Sequence, residues 1–236
     1  MKIGIICAVE NELHPFLEML TLHKKSKTAM VMFYEGELCG AEVVMAFSGV
    51  SKVNAAITTQ TMINKYQCSA VINAGTAGGM HRDLDLLDTV VSTEAFYHDV
   101  ESGILTEYHP WLPSPAFQAD PHLLQAAQNA AKETEGNGHR IFFGRMVTGE
   151  QFIEDDRRDE INHKFSPLSV DMETAAMAHV CYVHQIPFLS IRTITDTAEH
   201  KGQAEFAKNC EQAAQFSADF TSHMLQKLCE EMREKP

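Results

Sequence analysis

The sequence predicts an α/β fold, a central mixed β-sheet flanked by helices. Three observations carry that expectation. Short, nearly continuous apolar runs have strand length, amphipathic or alanine-rich stretches of helix length separate them, and the 236 residues are 44% hydrophobic and 22% charged, an ordinary globular balance. A chain of this length buries roughly 70–75% of its unfolded surface. With no internal repeat, low-complexity tract or linker, residues 1–236 read as one domain.

Lys2 to Val9 is an apolar run stopped by Glu10-Asn11-Glu12, which predicts a buried first strand and then a polar turn. Leu13 to Leu22 has helical spacing, with Pro15 expected in the first turn. Met30 to Glu37 and Ala41 to Phe47 flank Leu38-Cys39-Gly40 and predict an antiparallel hairpin or meander, with Gly49 closing the second strand. Val53 to Lys65 is the next helix, with Ala55, Ala56, Ile57 and Met62 on one side. Ala70 to Ala74 is a buried strand ending in Gly75-Thr76-Ala77-Gly78-Gly79, and Leu87 to Phe96 is another. Tyr97 to Phe117 holds three prolines, the only tryptophan and no period; a connection of about twenty residues without structure suggests a lid or a subunit contact. Asp120 to Glu133, opened by Pro121, is an amphipathic helix, and Ile141 to Thr148 is a strand that stops at Gly149. Leu168 to Met172 is a short strand, Thr174 to His184 an alanine-rich helix, and Phe188 to Ile194 a strand leading into Thr195-Asp196. The last forty residues are expected to form one or two amphipathic helices with a frayed end at 233–236.

Charge narrows the function. Acidic residues outnumber basic ones 32 to 19, a formal net charge of −13, so no nucleic-acid partner is expected and small molecules are the natural ligands. Six cysteines at 7, 39, 68, 181, 210 and 229 form no CxxC pair and lie mostly in apolar runs, which reads as the reduced core thiols of a cytosolic protein. No apolar run approaches the roughly 18 residues of a membrane span, and MKIGIICAVENEL is too short in apolar residues for a secretory segment. A cytoplasmic location with no membrane partner follows. Twelve histidines show neither HExxH nor paired Cys/His spacing; His179 and His184 fall five apart, and Tyr97-His98-Asp99 stands alone. No metal and no cofactor is expected. Cys7 lies inside an apolar strand and no GxSxG elbow exists, which argues against cysteine and serine nucleophiles.

In α/β folds sites gather beyond the carboxyl ends of strands. Four expected strands end in polar or glycine-rich residues: Glu10 and Glu12, Gly75 to Gly79, Met172-Glu173, and Asp196. If the strands share a direction, these groups converge. Each has a plainer reading as well. Glu12 and Glu173 suit the first turn of a helix, Asp196 suits an N-cap, and the glycines suit a tight turn that matches neither GxGxxG nor GxxxxGK.

Six segments occur in a telling order: MKIGIICAVENEL, SGVSKVNAA (48 to 56), VINAGTAGG (71 to 79), VTGEQFI (147 to 153), VDMETAAMAHV (170 to 180) and SIRTITDTA (190 to 198). Together they resemble the bacterial 5'-methylthioadenosine/S-adenosylhomocysteine nucleosidases from residue 1 to about 225. The resemblance implies the nucleoside phosphorylase/hydrolase fold, a homodimer and a place in methionine salvage. By position, Glu12 resembles the general base that activates water, Thr76 and Arg192 stand where that water is held, and Met172 and Glu173 match the ribose-binding pair. Phe152 and Ile153 match the adenine clamp, Asp196 the acid that protonates adenine N7, and Val9, Val50 and Phe206 the lining of the alkylthio pocket. The chain departs from the family pattern at Asp171, where glutamate is frequent, at Thr76 for a common serine, and at Val9 for a common methionine.

N-glycoside cleavage passes through an oxocarbenium-like transition state, so the leaving purine needs a proton and a carboxylate must handle water. Asp196 is thus expected to be held protonated and Glu12 ionised, by environments that push the two carboxyl groups apart. A phosphate-dependent purine nucleoside phosphorylase is the nearest rival. It would need cationic ligands for the anion, whereas the first strand here ends in Glu10 and Glu12 and arginines are scarce before residue 140. A hydrolase of another 5'-modified purine nucleoside, of the futalosine type, is a second alternative, and a non-catalytic nucleoside-binding protein a third.

Overall fold

A computed structural model of the chain describes every residue except 102, 110, 135–138, 154, 201 and 235–236, and at 155–156, 202–203 and 233–234 it describes the backbone alone. Along the first half run β1 (Lys2–Cys7), α1 (Glu10–Met19), β2 (Thr21–Thr28), β3 (Val31–Leu38), β4 (Ala41–Phe47), α2 (Lys52–Asn64), β5 (Ala70–Gly79) and β6 (Thr89–Tyr97). The second half adds α3 (Ile104–Glu107), β7 (Phe117–Gln118), α4 (Pro121–Thr134), β8 (Ile141–Thr148), α5 (Asp155–Phe165), β9 (Ser169–Asp171), α6 (Thr174–His184), β10 (Phe188–Asp196) and α7 (Gly202–Glu234).

β1 is apolar on both faces because helices cover the sheet on both sides, and both its edges are paired, with parallel β4 on one side and parallel β5 on the other. From β4 the sheet continues as an antiparallel meander through β3 to β2 at the rim. On its other side β5 pairs in parallel with β10, which pairs antiparallel with β6. β6 runs parallel to β8, β8 parallel to β9, and β9 antiparallel to β5, so five strands close into a ring. Helices α1, α4 and α7 bury Leu13, Phe16, Ala126 and Leu225 against Ile3, Ile5 and Ile72 on one face. Helices α2 and α6 bury Ala55, Met62, Ala175 and Cys181 against Ile6, Val44 and Val71 on the other. The mixed sheet with helices on its flanks is the expected architecture.

Several local expectations need correction. Glu10 to Glu12 is the first turn of α1 and not a loop, which places Pro15 inside the helix. Residues 21–28, TLHKKSKT, form an edge strand whose lysines and exposed side chains hide it from any apolar-run criterion. In α2 the packed residues are Ala55, Thr58, Thr59, Met62 and Ile63, while Ile57 is 46% exposed. Residues 75–79 continue β5 as extended chain and make no turn. Tyr97 to Phe117 contains the short α3 among its described residues. The helix α5 had no sequence counterpart, because DDRRDEINHKF is polar nearly throughout. The C-terminal segment is one helix, α7; of the expected frayed end, 235–236 lie outside the described residues.

One detail of the sheet positions everything that follows. β1 covers the edge of β5 from Ala70 to Asn73, and β9 covers the same strand only at Gly78 and Gly79. Between those contacts the edge of β5 is open. A buried backbone N–H there needs a partner from outside the ladder.

Candidate active site

The carboxylate of Glu12 fills that opening. Its Oε1 accepts the Thr76 N–H at 2.7 Å and the Thr76 hydroxyl at 2.7 Å, and its Oε2 accepts the N–H groups of Ala8 at 2.8 Å and Val9 at 3.2 Å. The bond to Val9 is that of an ordinary helix-capping glutamate. The bonds to Thr76, 64 residues away, are not, and they hold the side chain 2% exposed at the floor of a cavity. Gly75 makes room for it: φ is +151°, and a Cβ there would lie 2.5 Å from the Glu12 carboxyl carbon.

Met172 and Glu173 arrive from β9, which runs against β5; the shared strand direction expected for all four groups therefore fails for this one. Convergence survives because β9 meets β5 at Gly78, next to the opening. Capping of α6 falls to Asp171, whose Oδ1 accepts the N–H groups of Glu173 (3.2 Å) and Thr174 (3.1 Å) and the Thr148 hydroxyl (2.6 Å). Glu173 makes no side-chain cap and is free to face the cavity. Its Oε1 accepts the Ser51 N–H at 2.9 Å.

Arg192, on β10, is the cation among these acids. It is 1% exposed and donates to Glu173 Oε2 at 3.1 Å and to the Thr76 carbonyl at 3.1 Å, with Asp171 at 3.3 Å and Glu12 at 3.7 Å. Burial alone would weaken its hold on the proton, but Asp171, Glu173 and Glu12 outweigh it and raise its pKa. One arginine cannot neutralise three acids. Burial, with repulsion from Asp171 and Glu12, pushes Glu173 up to about 7 against the pull of Arg192 and the Ser51 N–H.

Asp196 ends β10 at a bulge, where pairing with β5 slips between Ile194 and Asp196. Thr195 and Asp196 both reach the cavity there. Asp196 is no helix N-cap, since α7 starts at Gly202. It is 2% exposed; burial raises its pKa, opposed by the Thr195 hydroxyl at 3.1 Å and by Arg158 at 3.5 Å. At the mouth, Phe152 (38% exposed) meets Phe206 edge to face, ring centres 6.3 Å apart, and Val50 is 41% exposed.

All eleven residues expected from the sequence, Val9, Glu12, Val50, Thr76, Phe152, Ile153, Met172, Glu173, Arg192, Asp196 and Phe206, line this one cavity of about 480 Å³. Ala8, Ala77, Gly78, Gln151, Val170, Asp171, Thr195 and Ala207 also line it. The double task of Asp171 has one signal in the sequence, its place directly before Met172-Glu173. Ser51 and Arg158 carry no such signal. Among the described lining residues, Arg192 is the only lysine or arginine, and it is engaged with carboxylates.

The phosphorylase superfamily model matches residues 2–226. The 5'-methylthioadenosine/S-adenosylhomocysteine nucleosidase of Bacillus cytotoxicus is 36% identical over 232 residues, 97% of this chain and 100% of the relative. The chain belongs to the 5'-methylthioadenosine/S-adenosylhomocysteine nucleosidase family. Among solved structures of that family, the Colwellia psychrerythraea nucleosidase in complex with adenine superposes with a TM-score of 0.88 at 34% identity, covering 97% of this chain and 96% of the other. The family's scaffold is shared more widely: futalosine hydrolase of Helicobacter pylori superposes with a TM-score of 0.86 at 27% identity, covering 96% and 98%.

Proposed function

We propose that the chain hydrolyses the N-glycosidic bond of 5'-methylthioadenosine and S-adenosylhomocysteine, releasing adenine and the thioribose sugar. The observation that carries this reading is the pair of buried carboxyl groups, Glu12 and Asp196, on one nucleoside-sized cavity with unlike surroundings. Glu12 is wrapped by hydrogen-bond donors, whereas burial favours the proton on Asp196. In this assignment Asp196 gives its proton to adenine N7 as the C1'–N9 bond breaks and the electron pair leaves with the base. Glu12 takes a proton from the water that attacks C1', beside Thr76 and Arg192. Glu173, with Met172 next to it, accepts hydrogen bonds from the ribose hydroxyls and stabilises the positive charge developing on the sugar. Phe152 stacks on adenine, the Ile153 backbone bonds its edge, and Val9, Val50 and Phe206 receive the 5' substituent. No step needs a metal or cofactor.

We further propose that residues 1–236 act as one domain in a cytoplasmic homodimer. Val53 and Ile57 on α2, Tyr182 and Val183 on α6, and Tyr108 and Trp111 are large, exposed and apolar, a set suited to a subunit interface. Incubation with methylthioadenosine in phosphate-free buffer, and again with phosphate, tests the reaction. Equal adenine release in both is expected. Release only with phosphate would make the chain a phosphorylase, and release only from a futalosine-type nucleoside would move the substrate assignment.

A further inference from the structure

Arg158 is an unusual neighbour for a group that must carry a proton. It projects from α5, a helix polar almost throughout, yet it is 6% exposed. Nη1 donates to the Gly79 carbonyl and lies 3.6 Å from Met80 Sδ, Nη2 lies 3.5 Å from Asp196 Oδ2, and the buried Nε has no hydrogen-bond partner. Desolvating a guanidinium costs several kcal/mol unless something nearby compensates it, and the carboxyl of Asp196 is the acid it faces. Among the described residues the other groups around Asp196 are weaker or indirect. Thr195 donates its hydroxyl from β10, Gly78 of β5 lies so close that a Cβ there would be 3.3 Å from Oδ2, and Asn209 of α7, itself bonded to Glu205, donates to the Thr195 carbonyl. His200 contacts Thr197, the next residue along.

We propose that Arg158 is a positioning residue for the acid: it fixes the Asp196 carboxyl at the cavity wall and compensates the negative charge left there when the proton passes to the leaving base. The inference rests on Asp196 being that acid. A cation at this distance makes Asp196 a stronger acid, which eases donation to N7, and narrows the pH range over which the proton is present to be given. Arg158 thus sets the alkaline boundary of activity. Glu173 titrates under other influences, Arg192, Asp171, the Ser51 N–H and Glu12, and its contribution stays in place when Arg158 is changed.

The test is the pH profile of kcat/KM for the wild type, R158Q, R158M and R158K, with D196N alongside. Glutamine keeps a donor for the Gly79 carbonyl, methionine supplies a second neutral variant should glutamine not fold, and lysine restores the charge. The neutral variants are expected to move the alkaline limb upward by about one pH unit or more while the plateau falls roughly three- to tenfold, as Brønsted behaviour requires of a weaker acid. R158K should return the limb toward the wild-type position. An unmoved limb in the neutral variants, or a limb in R158K displaced as far as theirs, overturns the proposal. Should D196N retain wild-type turnover, the acid assignment itself falls, a different result from an unmoved limb beside an inactive D196N.

Discussion

Arg192 sits where a buried positive charge is least costly and most useful, within 4 Å of three buried acids. Three carboxylates around one guanidinium leave two negative charges beyond neutral pairing, and Glu173 registers the excess. Its pKa is raised by folding, to about 7. A raised carboxyl binds protons in the folded state that the unfolded chain releases, so this residue costs stability above pH 7, and the cost fades as pH falls toward 4.5. E173Q is therefore expected to raise Tm by a few degrees at pH 8, with little change near pH 5, while abolishing ribose recognition; differential scanning calorimetry at the two pH values checks it. The reverse ordering, stabilisation at pH 5 alone, would contradict it. Removing either reacting carboxyl should act on turnover: D196N and E12Q are each expected to lower kcat by about 10²–10⁴. D196N should still bind methylthioadenosine by calorimetric titration, and a D196N variant with unimpaired kcat would remove Asp196 from the acid role.

At the entry to α2, Ser51 adopts φ +98° and ψ 153°, a region open to glycine and costly for any other residue. Three bonds hold it: its own N–H on Glu173, the Lys52 N–H on Glu150 Oε1, and the Lys52 ammonium on Asp99 at 2.9 Å. S51G keeps every backbone bond and removes the strain. We expect it to stabilise the chain by about 1 kcal/mol, the strain relieved less the extra unfolded-state entropy of glycine, or roughly 2–4 °C in Tm at this size. A Tm at or below wild type would refute the strain argument. The elements themselves were legible in proportion to their apolar content. β1, β3, β4, β8, α4 and α6 were visible as runs and periods, and the ends of β5 and β10 marked the site. β2 and α5 were not, since one is an edge strand of lysines and the other buries little beyond Arg158 and Ile161. The residues of the site were legible as an ordered set of motifs. Their partners Ser51 and Arg158 were not, because a strained φ and a buried ion pair leave no mark on hydrophobic pattern.

For the whole molecule, the apolar side chains on α2, α6 and the segment before β7 lie on one flank, and Val50, at the cavity mouth, precedes α2 directly. Light scattering is expected to give twice the chain mass of 26.3 kDa, and charged substitutions at Val53 and Tyr182 together should shift it toward the monomer. A monomeric wild type would leave that flank without its proposed cover.

The closed ring of strands has a consequence for how the protein comes to be active. Glu12 belongs to the first segment made, and its counter-charge Arg192 to one of the last. Synthesis delivers the N-terminal part first, so the acid in the opening along β5 is made before the cation that faces it. The pairing of β10 with β5 is long-range, the slow kind to form, and the same strand, one of the five in the ring, delivers Asp196 to the cavity. Nascent chains that stop before residue 196 lack the proposed acid, and those that stop before α7 also lack Phe206 and Ala207 of the cavity wall, so catalytic competence waits on the last part of the chain to be made.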